Sequence, residues 1–478
     1  MSGARFTPAQ RRILVALATA VVAVFGLLGY TVYTTLQQPS LRPILPSATP
    51  VSISVLPSPT LAMTPTAPAA PPQPSPTPTS RPTPSTPLSQ VQSARAVREV
   101  GRIVAEVREL PPVEQIPVTF PTEHEVAVSL LKTYQEDPPQ VDLPLYAALG
   151  IIPQIDPLPL PDVTAQAQHI SSLYLPAGRQ ILLVAGRGPA NVEDEWALAH
   201  AMAHALQDQA FGLDGLTPCR PTTDAALALR ALVEGDAVLT TARYAEMEGE
   251  EALERLGRMA ADAEEPTYEP LAEVDLFQRL RAFPYVKGAK WAAALHKEGG
   301  WRAVDQAYGL VPCSTEQILH PERYLNREPP QIVTLLALTP TLGADWTLIR
   351  EDTLGEWLLG LHLVAHLDDE SRAWEAVEGW AGDLFALWQS EEEGKDLIVW
   401  RTLWDNRDEA EQFEQAYRLL VPRFHTPPLV VAENIYRLPG RLWEGQAGAA
   451  YVERTGRIVT VVWGPDVETV VAVARALP

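Results

Sequence analysis

The chain has 478 residues, 46% of them hydrophobic, with 59 acidic against 37 basic side chains and a formal net charge of −22. That length exceeds one average domain. An acidic excess of this size argues against nucleic acid as a partner and is otherwise consistent with a soluble exterior.

Arg5, Arg11 and Arg12 lie in residues 1–12, ahead of an uncharged, mostly apolar run of 21 residues from Ile13 to Tyr33. At about 1.5 Å per residue a helix of this length crosses a hydrocarbon core of about 30 Å. A cleaved signal peptide would have a shorter apolar run and a small-residue cleavage site close behind it. The expectation is a single uncleaved anchor in the cell membrane, with the N-terminus cytoplasmic by the positive-inside rule and the rest extracytoplasmic. Residues 34–90 read as an extended Pro/Ser/Thr-rich linker, since Pro39 to Gln90 holds 16 prolines in 52 residues. The first ninety residues carry five arginines and no acid, so residues 91–478 hold all 59 acidic side chains against 32 basic ones. Cys219 and Cys313 are the only cysteines. They are the minimum for one bridge on an oxidising side of the membrane, and otherwise two small apolar thiols.

The ectodomain is expected over 91–420. It opens with a helix over 91–110 that Pro111-Pro112 ends, then a short helix from Glu123 to Gln135. Two strands follow, His169–Leu175 and Gly178–Ala185, joined by a Pro-Ala-Gly turn. The next helix spans about Asn191 to Phe211, with Gly212 as its stop. It carries His200 and His204 four residues apart, which stacks two imidazoles on one face, as in the H-E-x-x-H helix of zinc proteases. In that motif the glutamate deprotonates the metal-bound water. Here its position is Ala201, which accepts no proton.

A further helix, capped by Thr222 or Thr223 and reaching about Met247, sets Glu234 in an apolar stripe with Leu227, Ala231 and Val238. Glu234 follows His204 by 30 residues, a separation suited to a neighbouring antiparallel helix that supplies a third ligand. Asp208 and Asp236 are candidates for orienting the ligands. A second histidine pair, His362 and His366, has the same spacing but no matching glutamate, and reads as part of a structural helix. From 272 to 420 the pattern is helical, rich in Leu, Ala and Trp, and broken at Pro312, Pro321, Pro329-Pro330 and Pro340. In residues 421–478, Ala449–Arg454 and Ile458–Trp463 read as a hairpin, with a helix from Val467, packed on the ectodomain. The fold class expected is mainly α within α+β: metal-site helices after a small β-sheet, a helical body, and a terminal hairpin plus helix.

Several segments carry a likeness beyond single residues. They are Leu198-Ala-His-Ala-Met-Ala-His-Ala-Leu-Gln-Asp-Gln-Ala-Phe-Gly-Leu213, Ala231-Leu-Val-Glu-Gly-Asp-Ala237, Gly299-Gly-Trp-Arg-Ala-Val-Asp-Gln-Ala-Tyr308, Ser314-Thr-Glu-Gln-Ile-Leu-His-Pro321, Thr353-Leu-Gly-Glu356 and Gly379-Trp-Ala-Gly-Asp383. In order across roughly residues 100 to 420, they resemble extracytoplasmic bacterial and archaeal metallopeptidases of the gluzincin type. The resemblance implies a zincin-like fold and a Zn2+ ion held by His200, His204 and Glu234 with water in the fourth position. It supplies no base at Ala201. His320 and Glu356 are the cleft candidates, one as a hydrogen-bond donor and the other as a substitute base. The leading expectation is a catalytically impaired, polypeptide-binding pseudoenzyme. The alternatives are a working zinc peptidase with its base from elsewhere and a metal-free surface scaffold.

Overall fold

The computed structural model describes residues 90–128, 143–151, 170–185, 192–247, 249, 272–391, 395–425, 427–433 and 436–477. The expected cytoplasmic stretch 1–12, the apolar run 13–33 and the linker up to residue 89 lie outside the described residues. Among those described, no helix is long and apolar enough to cross a membrane.

Helix α1 (Gln90–Arg108) buries Val97, Val100 and Val104, an apolar stripe at helical spacing. A three-stranded sheet follows. Strand β1 (Val118–Thr119) pairs parallel with β3 (Gln180–Leu183), and β2 (Ser172–Leu175) pairs antiparallel with β3. Arg179 turns the β2–β3 connection in the left-handed region, at φ 44°. This sheet and α1 close a core over α2 (Val192–Phe211), with Tyr174, Ile181, Leu198, Met202 and Leu206 inside. Gly212, at φ 67°, ends α2 in the left-handed conformation that glycine adopts without a Cβ penalty.

Helix α3 (Thr223–Met247) starts where the Thr222 hydroxyl caps the Ala225 N–H and Asp352 accepts from the Thr223 N–H and hydroxyl. It packs between α2 and α4 (Ala272–Gly299). The helices α5 (Trp301–Gly309), α6 (Thr315–Leu319) and α7 (Pro321–Leu325) complete this half.

The second half departs from the expected helical body. It is a seven-stranded sheet in the order β4-β5-β6-β10-β9-β8-β7, comprising β4 (Trp346–Asp352), β5 (Trp380–Ser390), β6 (Asp396–Trp404), β7 (Val430–Val431), β8 (Arg441–Gly445), β9 (Gly448–Thr455) and β10 (Ile458–Gly464). Every neighbouring pair is antiparallel. Helix α8 (Gly355–His366) leaves β4. Helix α9 (Arg407–Phe424) lies on the face that carries Trp400 and Trp404, and α10 (Val467–Ala476) on the face that carries Val399 and Val462. With both faces covered, Leu384–Trp388 of β5 and Leu397–Trp400 of β6 are continuous apolar runs without the alternation that marks a half-exposed strand. The terminal hairpin and helix form as expected, but β10 is hydrogen-bonded to β6 along Trp463↔Ile398 to Ile458↔Leu403. The boundary expected at 420/421 therefore runs through one sheet. The molecule is mixed α+β.

Candidate metal centre

His200 and His204 share one face of α2, and Glu234 reaches them from α3. His200 Nε2 and His204 Nε2 are 3.0 Å apart, and Glu234 Oε2 stands 3.5 Å from the first and 3.3 Å from the second. Zinc bonded tetrahedrally at about 2.0–2.1 Å to imidazole nitrogen and carboxylate oxygen sets its ligand atoms about 3.3–3.4 Å apart. The observed triangle has that size. Glu234 Oε2 is buried between the two imidazoles, a position in which a carboxylate needs a positive partner. The donor set is two imidazoles and one carboxylate, a combination that suits zinc and other borderline divalent ions. Among the described residues this is the group of His, Cys, Asp and Glu side chains arranged to hold an ion.

The electrostatics follow from burial. His200 loses its charged form to desolvation, with the neighbouring His204 adding to the effect, and its pKa falls to about 4. Burial also disfavours charge on His204 and Glu234, but each outweighs that penalty for the other. His204 is raised, and Glu234 is held well below the usual carboxylate range. Burial thus favours a neutral His200, while His204 and Glu234 each favour the other's charged form.

Beyond the three ligand atoms, His204 Nδ1 lies 2.8 Å from Gln207 Oε1, and Gln207 Nε2 donates to the Val233 carbonyl at 3.0 Å. The Tyr285 ring on α4 approaches His200 with centroids 6.5 Å apart. The role of Gln207 is not readable from the sequence, because the carbonyl it reaches is backbone from another helix.

The other candidates are engaged elsewhere. Asp208 accepts from the Tyr174 hydroxyl at 2.6 Å and from the Leu213 N–H at 2.9 Å, tying β2 and the following turn to the end of α2. Asp236 receives a forked pair of bonds from Arg108, at 2.7 and 3.1 Å, and the Tyr308 hydroxyl at 2.7 Å. The Arg108 guanidinium, 4.3 Å from the Trp301 ring centroid, also reaches Asp305. Both aspartates fasten the frame around the site. His320 and Glu356 bond to each other, Nε2 to Oε1 at 3.0 Å. The glycine before Glu356, Gly355, packs against Asp224 at the start of α3. Asp224 lies ten residues before Glu234, about 15 Å along the helix. This pair belongs to the junction of α7 and α8, and no base comes from it to Ala201.

His362 and His366 both meet the Leu149 carbonyl, at 2.7 and 3.3 Å, and His362 also meets the Tyr417 hydroxyl. They form a structural pair, His362 buried and His366 partly so. Cys219 and Cys313 are joined in a disulfide with Cα atoms 5.4 Å apart.

A family model described as "Domain of unknown function (DUF8575)" matches residues 346–474. That span covers the seven-stranded sheet and leaves the histidine helix, α3 and Glu234 outside. Neither the curated proteins nor the solved structures contain a match to the chain.

Proposed function

We propose that this chain is a membrane-anchored, extracytoplasmic metallopeptidase-like protein that binds zinc through His200, His204 and Glu234 and does not cleave peptides efficiently. The observation that carries this reading is the triangle of ligand atoms with edges of 3.0, 3.3 and 3.5 Å. A bound zinc would polarise a water in its fourth position. The chain's own contribution to hydrolysis would be a proton acceptor beside that water, and the side chain there is the methyl of Ala201, itself buried.

The order of a small sheet, a two-histidine helix and a glutamate helix packed on it supports a zincin-like reading. The Cys219–Cys313 bridge suits an oxidising compartment and so supports an extracytoplasmic location. A polypeptide ligand enters through the resemblance of the histidine and glutamate segments alone. Such a ligand would be held in the old cleft and left uncut.

Two measurements test the reading. Metal analysis of the purified chain is expected to give close to one zinc per molecule, lost in Glu234→Ala. A stoichiometry near zero that Glu234→Ala leaves unchanged rejects the metal site. Hydrolysis of a casein substrate is expected to be negligible for the native chain and to rise in Ala201→Glu, since one well-placed general base contributes on the order of 10²–10⁴ in rate. Rapid native cleavage that Ala201→Glu does not increase rejects the impaired-base argument.

A further inference from the structure

We propose that Gln207 positions His204 for the metal, fixing which imidazole nitrogen presents its lone pair and tying that ring to the backbone beside Glu234. The proposal rests on His200, His204 and Glu234 being the ligands. The Val233 carbonyl oxygen can only accept a hydrogen bond, and it lies 3.0 Å from one end of the Gln207 amide. That end must therefore be the NH2 group, because the flipped amide would oppose two acceptor oxygens. The other end is then the carbonyl oxygen, 2.8 Å from His204 Nδ1. An oxygen there requires a proton on Nδ1. In the neutral ring this leaves Nε2 as the bare nitrogen, and Nε2 is the atom that meets His200 Nε2 and Glu234 Oε2.

A chain of three groups thus runs from the backbone of α3, through one amide, to the lone pair on α2. Gln207 follows His204 by three residues and so lies over the same helical face. Val233 immediately precedes Glu234, so the amide links both ligand-bearing segments. Gln207 is buried, which keeps water from replacing either bond. Groups that hold the outer nitrogen of a ligating histidine typically contribute a factor of 10–100 in metal affinity.

Two substitutions separate fixing the tautomer from simply stapling two helices. Gln207→Leu removes both bonds. Gln207→Glu keeps an acceptor for the Nδ1 proton and loses the donor to Val233. In competition titrations of the full-length chain against a chromophoric zinc chelator, Gln207→Leu is expected to bind zinc about 10–100-fold more weakly, with Gln207→Glu staying much nearer the native value. Ring-nitrogen NMR of the metal-free native chain, labelled with 15N-histidine and held at a pH where His204 is neutral, gives a readout free of substitution. It is expected to show His204 protonated on Nδ1. Native zinc affinity in Gln207→Leu, equal weakening in both variants, or an Nε2-protonated His204 overturns the proposal while leaving the metal site standing. A native chain that binds no zinc overturns the metal reading and this proposal with it.

Discussion

Asp224 illustrates how a single side chain sets a pH dependence. It opens the ligand-bearing helix α3 from a fully buried position, and its Oδ1 accepts from the Thr315 N–H at 2.7 Å and hydroxyl at 2.6 Å. Burial pushes its pKa up to about 8 against the pull of those two bonds, with Asp383 and Glu356 adding like charge nearby. In the unfolded chain the same group ionises near 4. Between about pH 4 and 8 the folded chain therefore keeps a proton that the unfolded chain has released, and stability is lost as pH rises through this window. Asp224→Asn, neutral at every pH, is expected to remove that loss, worth up to about 1.4 kcal/mol per pH unit. Urea unfolding at pH 5 and pH 8 checks it: the native chain should weaken relative to the variant on going to pH 8. Parallel behaviour at the two pH values rejects a buried, protonated Asp224. His362 has the opposite sign. Burial lowers its pKa to about 3, so its contribution is lost as pH falls below about 6.5. The two histidine pairs also mark the limit of sequence reading at this scale. Spacing puts His200 with His204, and His362 with His366, each on one face, and cannot say what stands opposite. Opposite the first pair is the Glu234 carboxylate, legible as an acid in an apolar stripe. Opposite the second are a backbone carbonyl and a phenol, and the carbonyl leaves no trace in side-chain pattern.

At the level of elements, the position of Glu234 depends on how closely α3 and α4 cross. A Cβ on Gly235 would stand 2.2 Å from the Gly288 carbonyl carbon, and one on Gly288 would stand 2.2 Å from the Ala231 oxygen. Backbone meets backbone there, one residue from a ligand, with no flexible side chain to give way. Gly235→Ala is thus set between two effects. Alanine favours an exposed helix by about 1 kcal/mol, whereas forcing a methyl into a packed contact costs typically 1–3 kcal/mol. The contact is expected to win because the obstructing atoms are main chain. The variant should melt at a lower temperature and bind zinc more weakly as α3 moves off α4; a melting temperature at or above the native value would show that the crossing has room to relax. The helix over Glu234 is legible from its cap and its apolar stripe. Strands β5 and β6 are not. A run such as Leu384-Phe-Ala-Leu-Trp388, buried on both sides, has the periodicity of neither a half-exposed strand nor an amphipathic helix. Only the pairing with β4 and β10 decides it.

For the molecule as a whole, the Cys219–Cys313 bridge connects what the backbone separates. Cys219 lies in the connection between the two ligand-bearing helices, α2 and α3, and Cys313 lies ahead of α6, with 94 residues of separation. The loop so closed contains α3, α4 and α5, the helices that hold Glu234, Tyr285 and Asp305. The seven-stranded sheet begins only at Trp346 and is untouched by it. In the chain-entropy account, a cross-link closing a loop of this size removes unfolded-state freedom worth about 4–5 kcal/mol. Reduction with a phosphine, which breaks the S–S bond to two thiols, is therefore expected to lower the unfolding free energy of the metal-free chain by about 3–5 kcal/mol. Paired Cys219→Ala and Cys313→Ala substitution should have the same effect without any reductant. The loss should be concentrated in the helical half: hydrogen exchange in α3 and α4 is expected to accelerate while β6 and β10 at the sheet centre keep their protection. Uniform acceleration would mean that the two halves unfold as one cooperative unit. Unchanged stability would mean that the helices are held by their own packing, with Arg108 and Asp236 as the fastening and the bridge contributing little.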